Sequence, residues 1–582
     1  MPIVTETDIV RNLRLQRYGV LGTSVTKTMM DILGINALNQ LYDQHCHLEG
    51  LAFIDAILDK LSIRIEISEN DLKRLPASGP FILVSNHPLG GIDGLIMLKI
   101  MLLHHPESKI IANYLLKLVQ PLDRYVCPVN PFEHNKELYH SFGGIRTALD
   151  QLKSGFPLGI FPAGEVSVRQ KGIGGRIDDK KWDVSMIKLI KKAGVPVIPM
   201  FFNARNSDLF YIMAGVNGYL RTAKLPSEML NSYDKTIKVR IGNPISVTTQ
   251  DSMKDIDVLS DHIRHKTYIL GNVFRKRKFF ELDISKFKKG HQPVLARISP
   301  EHLERDFSLL RQDQKILFES GHYALYFTKL DDYPMILAEL GRLREITFRD
   351  AGEGTGKATD VDKYDAYYHH LILWDKSACQ LAGAYRLGLG KEIKKMYGMS
   401  GFYMSELFYL YGPMHDVMNE SIEMGRAFVA KPYQQRPMPL FLLWKGIEKI
   451  ATSFPEYKYL IGAASISNSY SYYSRSMMVE YFSKHHFDSD LALYVAAKKP
   501  FRSMLTKKDA DLIGSSQFES IRSVDRLIEE LEPQGLKIPV LIKKYLLQNA
   551  KLLAFNVDTA FNDAIDGLIY IEISKINLEK LG

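Results

Sequence analysis

Between residues 20 and 60 apolar side chains recur every three or four positions: Met30, Ile32, Leu33, Ile35, Leu38 and Leu41, then Leu51, Phe53, Ile54, Ile57 and Leu58. That period predicts two amphipathic helices joined near His45-Cys46-His47. From Phe81 the pattern changes to short, nearly continuous apolar runs bounded by proline and glycine. Stretches 81–85, 110–114, 157–162, 195–202 and 238–244 read as strands, with helical spacing closing at 149–153 and again over 182–193. Buried strands alternating with helices argue for an α/β sheet domain ending near residue 270. From about residue 291 the pattern changes again. Strands are expected at 323–327, 420–429 and 457–463, an antiparallel pair at 367–374 and 380–386, and helices at 336–348, 440–450 and 470–482. The tail reads as a helix over 538–553 and a strand over 567–571. The fold class is α/β for the N-terminal half and α+β for the C-terminal half, in four stretches: a helical segment 1–60, a first domain 61–270, a linker 271–290 and a second domain 291–582.

The first strand runs into Asn86-His-Pro-Leu-Gly-Gly-Ile-Asp-Gly94. Pro88, Gly90 and Gly91 break regular structure. Asp93 stands where a helix N-cap belongs, ahead of Leu95-Ile-Met-Leu98. His87 and Asp93 are thereby presented together at the C-terminal end of a strand, where open α/β sheets bind ligands. A neutral imidazole can take a proton from an alcohol, and a carboxylate on its other nitrogen fixes the tautomer and steadies the imidazolium. Beside an acyl thioester, such a pair suffices for acyl transfer to a hydroxyl. The alternative is a strand-to-helix turn with a capping Asp and an incidental His.

Composition narrows the setting. The 582 residues are 46% hydrophobic and 24% charged, and no stretch approaches the roughly 18 uncharged apolar residues of a membrane span. Met1 to Lys27 lacks a signal-peptide core. Cys46, Cys127 and Cys379 are too scattered for a disulfide framework or a zinc site, so no metal is expected and a reducing, cytoplasmic setting is. A net charge of +9 predicts an acidic partner. The stretch Asn272-Val-Phe-Arg-Lys-Arg-Lys-Phe-Phe280, followed by Lys286-Phe-Lys-Lys289, suits an anionic membrane surface or is a solvated linker. No nucleic-acid recognition motif accompanies it.

Two further pieces are expected to converge on His87 and Asp93: the loop Gln120-Pro-Leu-Asp-Arg-Tyr-Val-Cys-Pro-Val129, carrying Arg124, and the turn Phe161-Pro-Ala-Gly-Glu165. With Val195-Pro-Val-Ile-Pro199 they resemble, in order and spacing, the glycerophosphate and lysophospholipid acyltransferase family. The resemblance implies His87 as general base, Asp93 as its partner, and Arg124, Gly164 and Glu165 as substrate-binding residues. Two departures stand out. Five residues rather than four separate His87 from Asp93, an insertion that Gly90 and Gly91 can absorb. In the family's Phe-Pro-Glu-Gly-Thr-Arg turn, Ala163 and Val166 replace the Glu and the phosphate-linked Arg. The implied acceptor is a lysolipid whose headgroup is not glycerol phosphate, unless Arg169 or Arg176 restores the charge.

In the second half, Ala351-Gly-Glu-Gly-Thr-Gly-Lys357 fails as a phosphate loop and reads as a mobile loop. Asp360-Val-Asp-Lys-Tyr-Asp365 lacks the turn glycine and closing glutamate of a helix-loop-helix calcium site. Arg344 with Phe348, Asp362 with Asp365, Arg386, and Glu423 with Arg426 resemble the acyl-homoserine lactone synthase and ornithine N-acyltransferase branch of the N-acetyltransferase superfamily. That branch implies Glu423 as a base acting through water, and Arg344, Phe348, Asp362, Asp365, Arg386 and Arg426 around the acceptor. A buried ion-pair network is the structural alternative. Gln434-Gln-Arg-Pro-Met-Pro439 lacks the glycines of a pyrophosphate loop, which favours a donor on acyl carrier protein over acyl-CoA. The ending of the tail resembles the same synthases, implying that it walls an acyl tunnel.

The whole chain resembles the bifunctional ornithine-lipid synthases. The resemblance implies N-acylation of an amino acid by the C-terminal half with a 3-hydroxyacyl chain, then O-acylation of the lysolipid by the N-terminal half. It also implies no bound cofactor, acyl carrier protein as partner, and a peripheral position on the inner membrane face. Alternatives are a lysophospholipid-remodelling enzyme with a degenerate second half, and a non-catalytic membrane adaptor.

Overall fold

The computed structural model describes residues 19–113, 116, 119–129, 139–170, 176–216, 218–275, 292–514 and 518–577. The chain folds as two compact units that meet in sequence between Phe274 and Arg275. Most of the basic aromatic linker, 276–291, lies outside the described residues.

The first unit is built on seven strands: β1 (Arg64–Glu66), β2 (Ile82–Ser85), β3 (Lys109–Asn113), β4 (Val126–Val129), β5 (Leu158–Ile160), β8 (Val197–Asn203) and β9 (Thr236–Ile241). Their order is β1-β9-β8-β2-β5-β3-β4, parallel except at β8–β9. A separate two-residue pair, β6 (Val168–Arg169) and β7 (Ile177–Asp178), is antiparallel. β2 is central, and its successive side chains enter opposite cores. Phe81 and Leu83 pack with the helices Ile35–His45, Gly50–Lys60 and Gly91–His104. Ile82 and Val84 pack with the helices Tyr139–Lys153, Val184–Ala193 and Ile256–Ile269. Burial on both faces is why these strands are unbroken apolar runs. Residues 19–60 form three helices rather than the expected two, Gly19–Ile32, Ile35–His45 and Gly50–Lys60. Gly34, at φ +71°, makes the extra break. The last two helices share the sheet's core instead of standing apart as a segment.

The second unit holds β10 (Ile316–Ser320), β11 (Tyr323–Thr328), β12 (His369–Asp375), β13 (Gln380–Leu389), β15 (Ser421–Val429), β16 (Tyr459–Ile466), β18 (Lys551–Asp558) and β19 (Ala564–Glu572), with a small pair, β14 (Phe408–Leu410) and β17 (Val495–Ala497). The sheet order is β10-β11-β12-β13-β15-β16-β19-β18, antiparallel except at β15–β16. The predicted helix over 538–553 ends at Leu547, and the chain continues into the strand β18. The backbone reverses at Asn549, which takes φ +61°.

The loop 351–357, expected to be mobile, is pinned. The Glu345 carboxylate accepts from the Thr355 and Gly356 N–H groups at 3.1 and 2.8 Å, the Thr355 hydroxyl at 2.6 Å and Arg349 Nε at 2.7 Å. Among the described residues, no helix is long and apolar enough to cross a membrane.

Candidate functional site

The first site grows from the end of β2. Asn86 ties that end to β8 by donating to the Phe202 carbonyl at 3.0 Å and accepting from the Phe202 N–H at 2.8 Å. His87 comes next. Its N–H donates to Asp179 Oδ1 at 3.2 Å, and its carbonyl accepts from the Ser167 N–H at 2.8 Å. Its ring stacks on Phe161, centroids 4.1 Å apart.

The helix Gly91–His104 is capped by Gly90, not by Asp93, which sits at the third helical position. Gly90 has φ +82° and ψ −120°, a conformation open to glycine and little else. This turn accommodates the additional residue between His87 and Asp93. Asp93 Oδ2 then accepts from the Leu89 and Gly90 N–H groups at 2.7 and 3.1 Å and lies 3.2 Å from His87 Nδ1. Burial raises the Asp93 carboxyl above its ordinary value, against the lowering effects of His87 and the two amides. With Nδ1 facing Asp93, Nε2 is the ring nitrogen left for a substrate proton.

Asp179 is a residue that sequence reasoning missed. It is buried, and besides holding the His87 N–H it accepts from Ser167 Oγ at 2.6 Å and Trp182 Nε1 at 3.1 Å. It therefore clamps the His87 loop to the Phe161–Ser167 turn. In that turn Gly164 is exposed, and its N–H donates to the Phe161 carbonyl at 3.0 Å. Glu165 pairs with Lys180 at 2.7 Å. Val166 packs in an apolar cluster with Phe210 and Tyr211. Arg169 pairs with Asp208, and Arg176 with Asp178 at 3.7 Å. Arg124 is not brought to the pair: it lies in the turn before β4, at the far edge of the sheet, exposed and over the Tyr125 ring at 4.7 Å.

The second site lies where two parallel strands part. β15 pairs with β16 only from Ser421 to Met424. Beyond that it stays with β13 through a bulge, where Arg426 takes φ +48°, while β16 stays with β19 as far as Ile466. Bulges of this kind redirect side chains and end pairing. A cavity of about 790 Å³ occupies the gap, lined among others by Phe348, Arg426, Phe428, Trp444, Ile542 and Tyr545. Its size suits a small-molecule or acyl-chain site. The tail helix Val540–Leu547 contributes to its wall.

The predicted charges gather beside this cavity. Arg344 donates to Asp365 Oδ1 at 2.8 Å, and His370 Nε2 lies 3.1 Å from the same oxygen. Arg386 donates to Asp362 at 2.6 Å and lies 3.4 Å from Asp365. Arg426 reaches Asp360 at 3.0 Å and Asp362 at 3.1 Å. Burial alone would raise the Asp365 carboxyl. Arg344, His370 and Arg386 outweigh it and hold the group well below the carboxylate range. Of these charges only Arg426 lines the cavity. Arg344, Asp362, Asp365 and Arg386 form the frame behind it, together with Asp360, which the sequence offered only within a failed calcium motif, and His370, which it had not singled out.

Glu423 stands one layer from the cavity. Its carboxylate accepts from the Tyr368 hydroxyl at 2.6 Å and the Met404 N–H at 2.8 Å, and Met404 lines the cavity. Burial pushes Glu423 up to about 7, against those two hydrogen bonds and Arg386. A carboxyl near 7 is matched to proton transfer at neutral pH. Three cavity carboxyls also escaped the sequence reading, Glu353, Asp558 and Asp566. Glu353 lies in a glycine-rich loop without a pattern. Asp566 did leave a signal: a charge inside the apolar strand β19.

Residues 27–276 match the family described as Acyltransferase, and residues 343–444 the one described as Acetyltransferase (GNAT) domain. The chain is 28% identical over 309 residues to a glycine N(alpha)-acyltransferase of Phocaeicola vulgatus, covering 50% of this chain and 91% of that protein. It is 27% identical over 274 residues to a lyso-glycine lipid O-acyltransferase of Bacteroides thetaiotaomicron, covering 45% and 95%. A solved structure, the 1-acyl-sn-glycerophosphate acyltransferase PlsC of Thermotoga maritima, aligns with 47% of this chain and 100% of its own at 16% identity and a TM-score of 0.26, too weak a likeness to carry an argument. The chain is an acyltransferase that joins an N-terminal acyltransferase domain to a C-terminal GNAT domain.

Proposed function

We propose that this chain makes an amino-acid-containing membrane lipid by two successive acyl transfers. The observation that carries the reading is the pairing itself: one chain matches proteins named for N-acylating glycine and proteins named for O-acylating the resulting lysolipid. The second unit acts first. The amine of an amino acid attacks the thioester carbonyl of a 3-hydroxyacyl donor, the new C–N bond forms, and the C–S bond breaks. The amine proton passes through water to Glu423, which returns it to the departing thiolate, so the thiol leaves protonated and Glu423 is restored. The first unit then uses the new hydroxyl. His87 Nε2 takes its proton as the oxygen attacks a second acyl thioester, the new C–O bond forms and the C–S bond breaks, and the imidazolium, steadied by Asp93, returns the proton to the departing thiolate.

The turn at 161–167 supports a phosphate-free acceptor. Val166, at the place of the family's Arg, is committed to an apolar cluster, and Arg169 and Arg176 each have an acidic partner. The donor is acyl carrier protein, an acidic partner that suits a chain of net charge +9. The same charge suits the inner membrane face, where the product belongs. The amino acid is ornithine, as the resemblance of the second half implies, although the relatives' names carry glycine.

The test is reconstitution of the full chain with amino acid, 3-hydroxyacyl carrier protein and a second acyl carrier protein, with products read by mass spectrometry. Wild type yields diacyl lipid. His87→Ala stops at the mono-acyl lipid, and Glu423→Ala yields neither. Normal diacyl lipid from either variant refutes the assignment of that residue.

A further inference from the structure

The cavity of the second unit contains a carboxyl that no cation answers. Glu353 comes after the helix Pro334–Asp350 in the pinned loop, its N–H bonded to the Phe348 carbonyl at 2.7 Å, and its side chain lines the cavity. Among the described residues the carboxyl has no hydrogen bond or ion pair, and the one charge that acts on it is Asp566, which is also an acid. Asp566 lines the same cavity from β19, is itself buried, and accepts a single hydrogen bond, from Ser465 Oγ at 2.6 Å. Three cations also line the cavity, Arg426, Arg436 and Lys544; Arg426 is already engaged by Asp360 and Asp362, and none of the three acts on Glu353.

Burial unopposed by any cation pushes Glu353 up to about 8. Burial, with Asp558 beside it, pushes Asp566 up to about 7 in spite of Ser465 and Arg426. Glu353 and Asp566, with Asp558 on the same lining, are acids in one largely apolar cavity and are held at a cost unless a cation completes them. The reacting amine cannot be that cation, because it must be neutral to attack a thioester. The cation has to be a group of the acceptor that keeps its charge through the reaction.

We propose that Glu353 and Asp566 form a subsite for the side-chain ammonium of a diamino acid acceptor, and so select such an acceptor over glycine. The proposal rests on the reading of this unit as the N-acyltransferase. Each carboxylate accepts from the ammonium, while the second nitrogen of the acceptor remains free to be acylated. Glycine has no group for the subsite. Nδ-acetylornithine keeps ornithine's side-chain nitrogen in place but, capped by an acetyl group, carries no charge there.

The experiment measures kcat/KM for N-acylation by the full chain, with 3-hydroxyacyl carrier protein as donor and ornithine, Nδ-acetylornithine or glycine as acceptor. Wild type is expected to prefer ornithine over Nδ-acetylornithine about 10- to 100-fold, the range for a charge-assisted contact. Glu353→Gln and Asp566→Asn are each expected to bring that ratio close to one, chiefly through KM. A ratio is insensitive to the fraction of each variant that folds. An unchanged ratio in both variants overturns the proposal, as does a wild type that acylates glycine as efficiently as ornithine. Absence of N-acylation with all three acceptors overturns the N-acyltransferase reading and the subsite with it.

Discussion

Glu423→Gln separates the catalytic from the structural consequences of burying an acid. Burial raises this carboxyl from 4.5 to about 7. Between those values the folded protein keeps a proton that the unfolded chain has released. Stability therefore falls as pH rises from 4.5 through 7, then levels off. At about 1.4 kcal/mol per pKa unit, the full loss above pH 7 is about 3 kcal/mol. Glutamine cannot ionise and escapes it. It gives up one of the two acceptor oxygens that serve Tyr368 and Met404, which costs about 1 kcal/mol. The variant should thus be more stable than wild type by about 2 kcal/mol at pH 8, and less stable by about 1 kcal/mol at pH 4.5. Denaturant unfolding of the second unit, followed by tryptophan fluorescence at both pH values, measures the difference; all three tryptophans are buried, Trp374 and Trp444 in this unit and Trp182 in the first. N-acylation by the variant should fall about 10²- to 10⁴-fold, the usual weight of a general base. In wild type it should rise with pH to a plateau above about 7. A stability difference that is the same at pH 4.5 and pH 8 would refute the argument for a buried, raised carboxyl.

Gly90→Ala places a side chain at φ +82°, with its Cβ 3.2 Å from Leu225. It should cost about 1–3 kcal/mol and move Asp93 from His87, so O-acylation falls while N-acylation continues; the ratio of mono-acyl to diacyl lipid reads this directly. Asp179→Asn loses an acceptor for the N–H of His87 or Trp182 and should lower kcat for O-acylation with little change in KM, which steady-state kinetics on purified lysolipid will show. Arg426→Lys cannot span Asp360 and Asp362 as the guanidinium does, and should lower the thermal midpoint of the second unit and its N-acylation rate together, as calorimetry and rate assays will record.

The sequence carried five of the seven strands of the first unit's sheet, because strands buried on both faces must be apolar throughout, and proline and glycine mark where β2 gives way to the His87 loop. It missed β1, which is short and largely exposed, and β4, which lies in the stretch 120–129 read as a loop. The role of Asp93 was less legible. Its spacing fits a helix cap, and only the turn at Gly90 moves it to the third helical position, from which it reaches back to Leu89 and Gly90. The tail misled for a related reason: Leu552, Leu553 and Phe555 satisfy either a helix or a strand, and the reversal at Asn549 decides between them. Asp179 acts on His87 across 92 positions, a distance at which local patterning carries no signal. The loop at 351–357 looks unrestrained in glycine content alone, and its clamp, Glu345, lies on the preceding helix. The charged motifs of the second half were legible as a set, but their division into a frame and a single cavity residue, Arg426, depends on where β15 leaves β16.

The most direct test of the two-step account is lipid mass spectrometry on a host that makes no aminolipids, expressing this chain alone. The account predicts a new lipid with one amino acid and two acyl chains, one through an amide and one through an ester, and its headgroup mass names the amino acid. An unchanged lipid profile, with the protein folded, expressed and supplied with the amino acid, would contradict it.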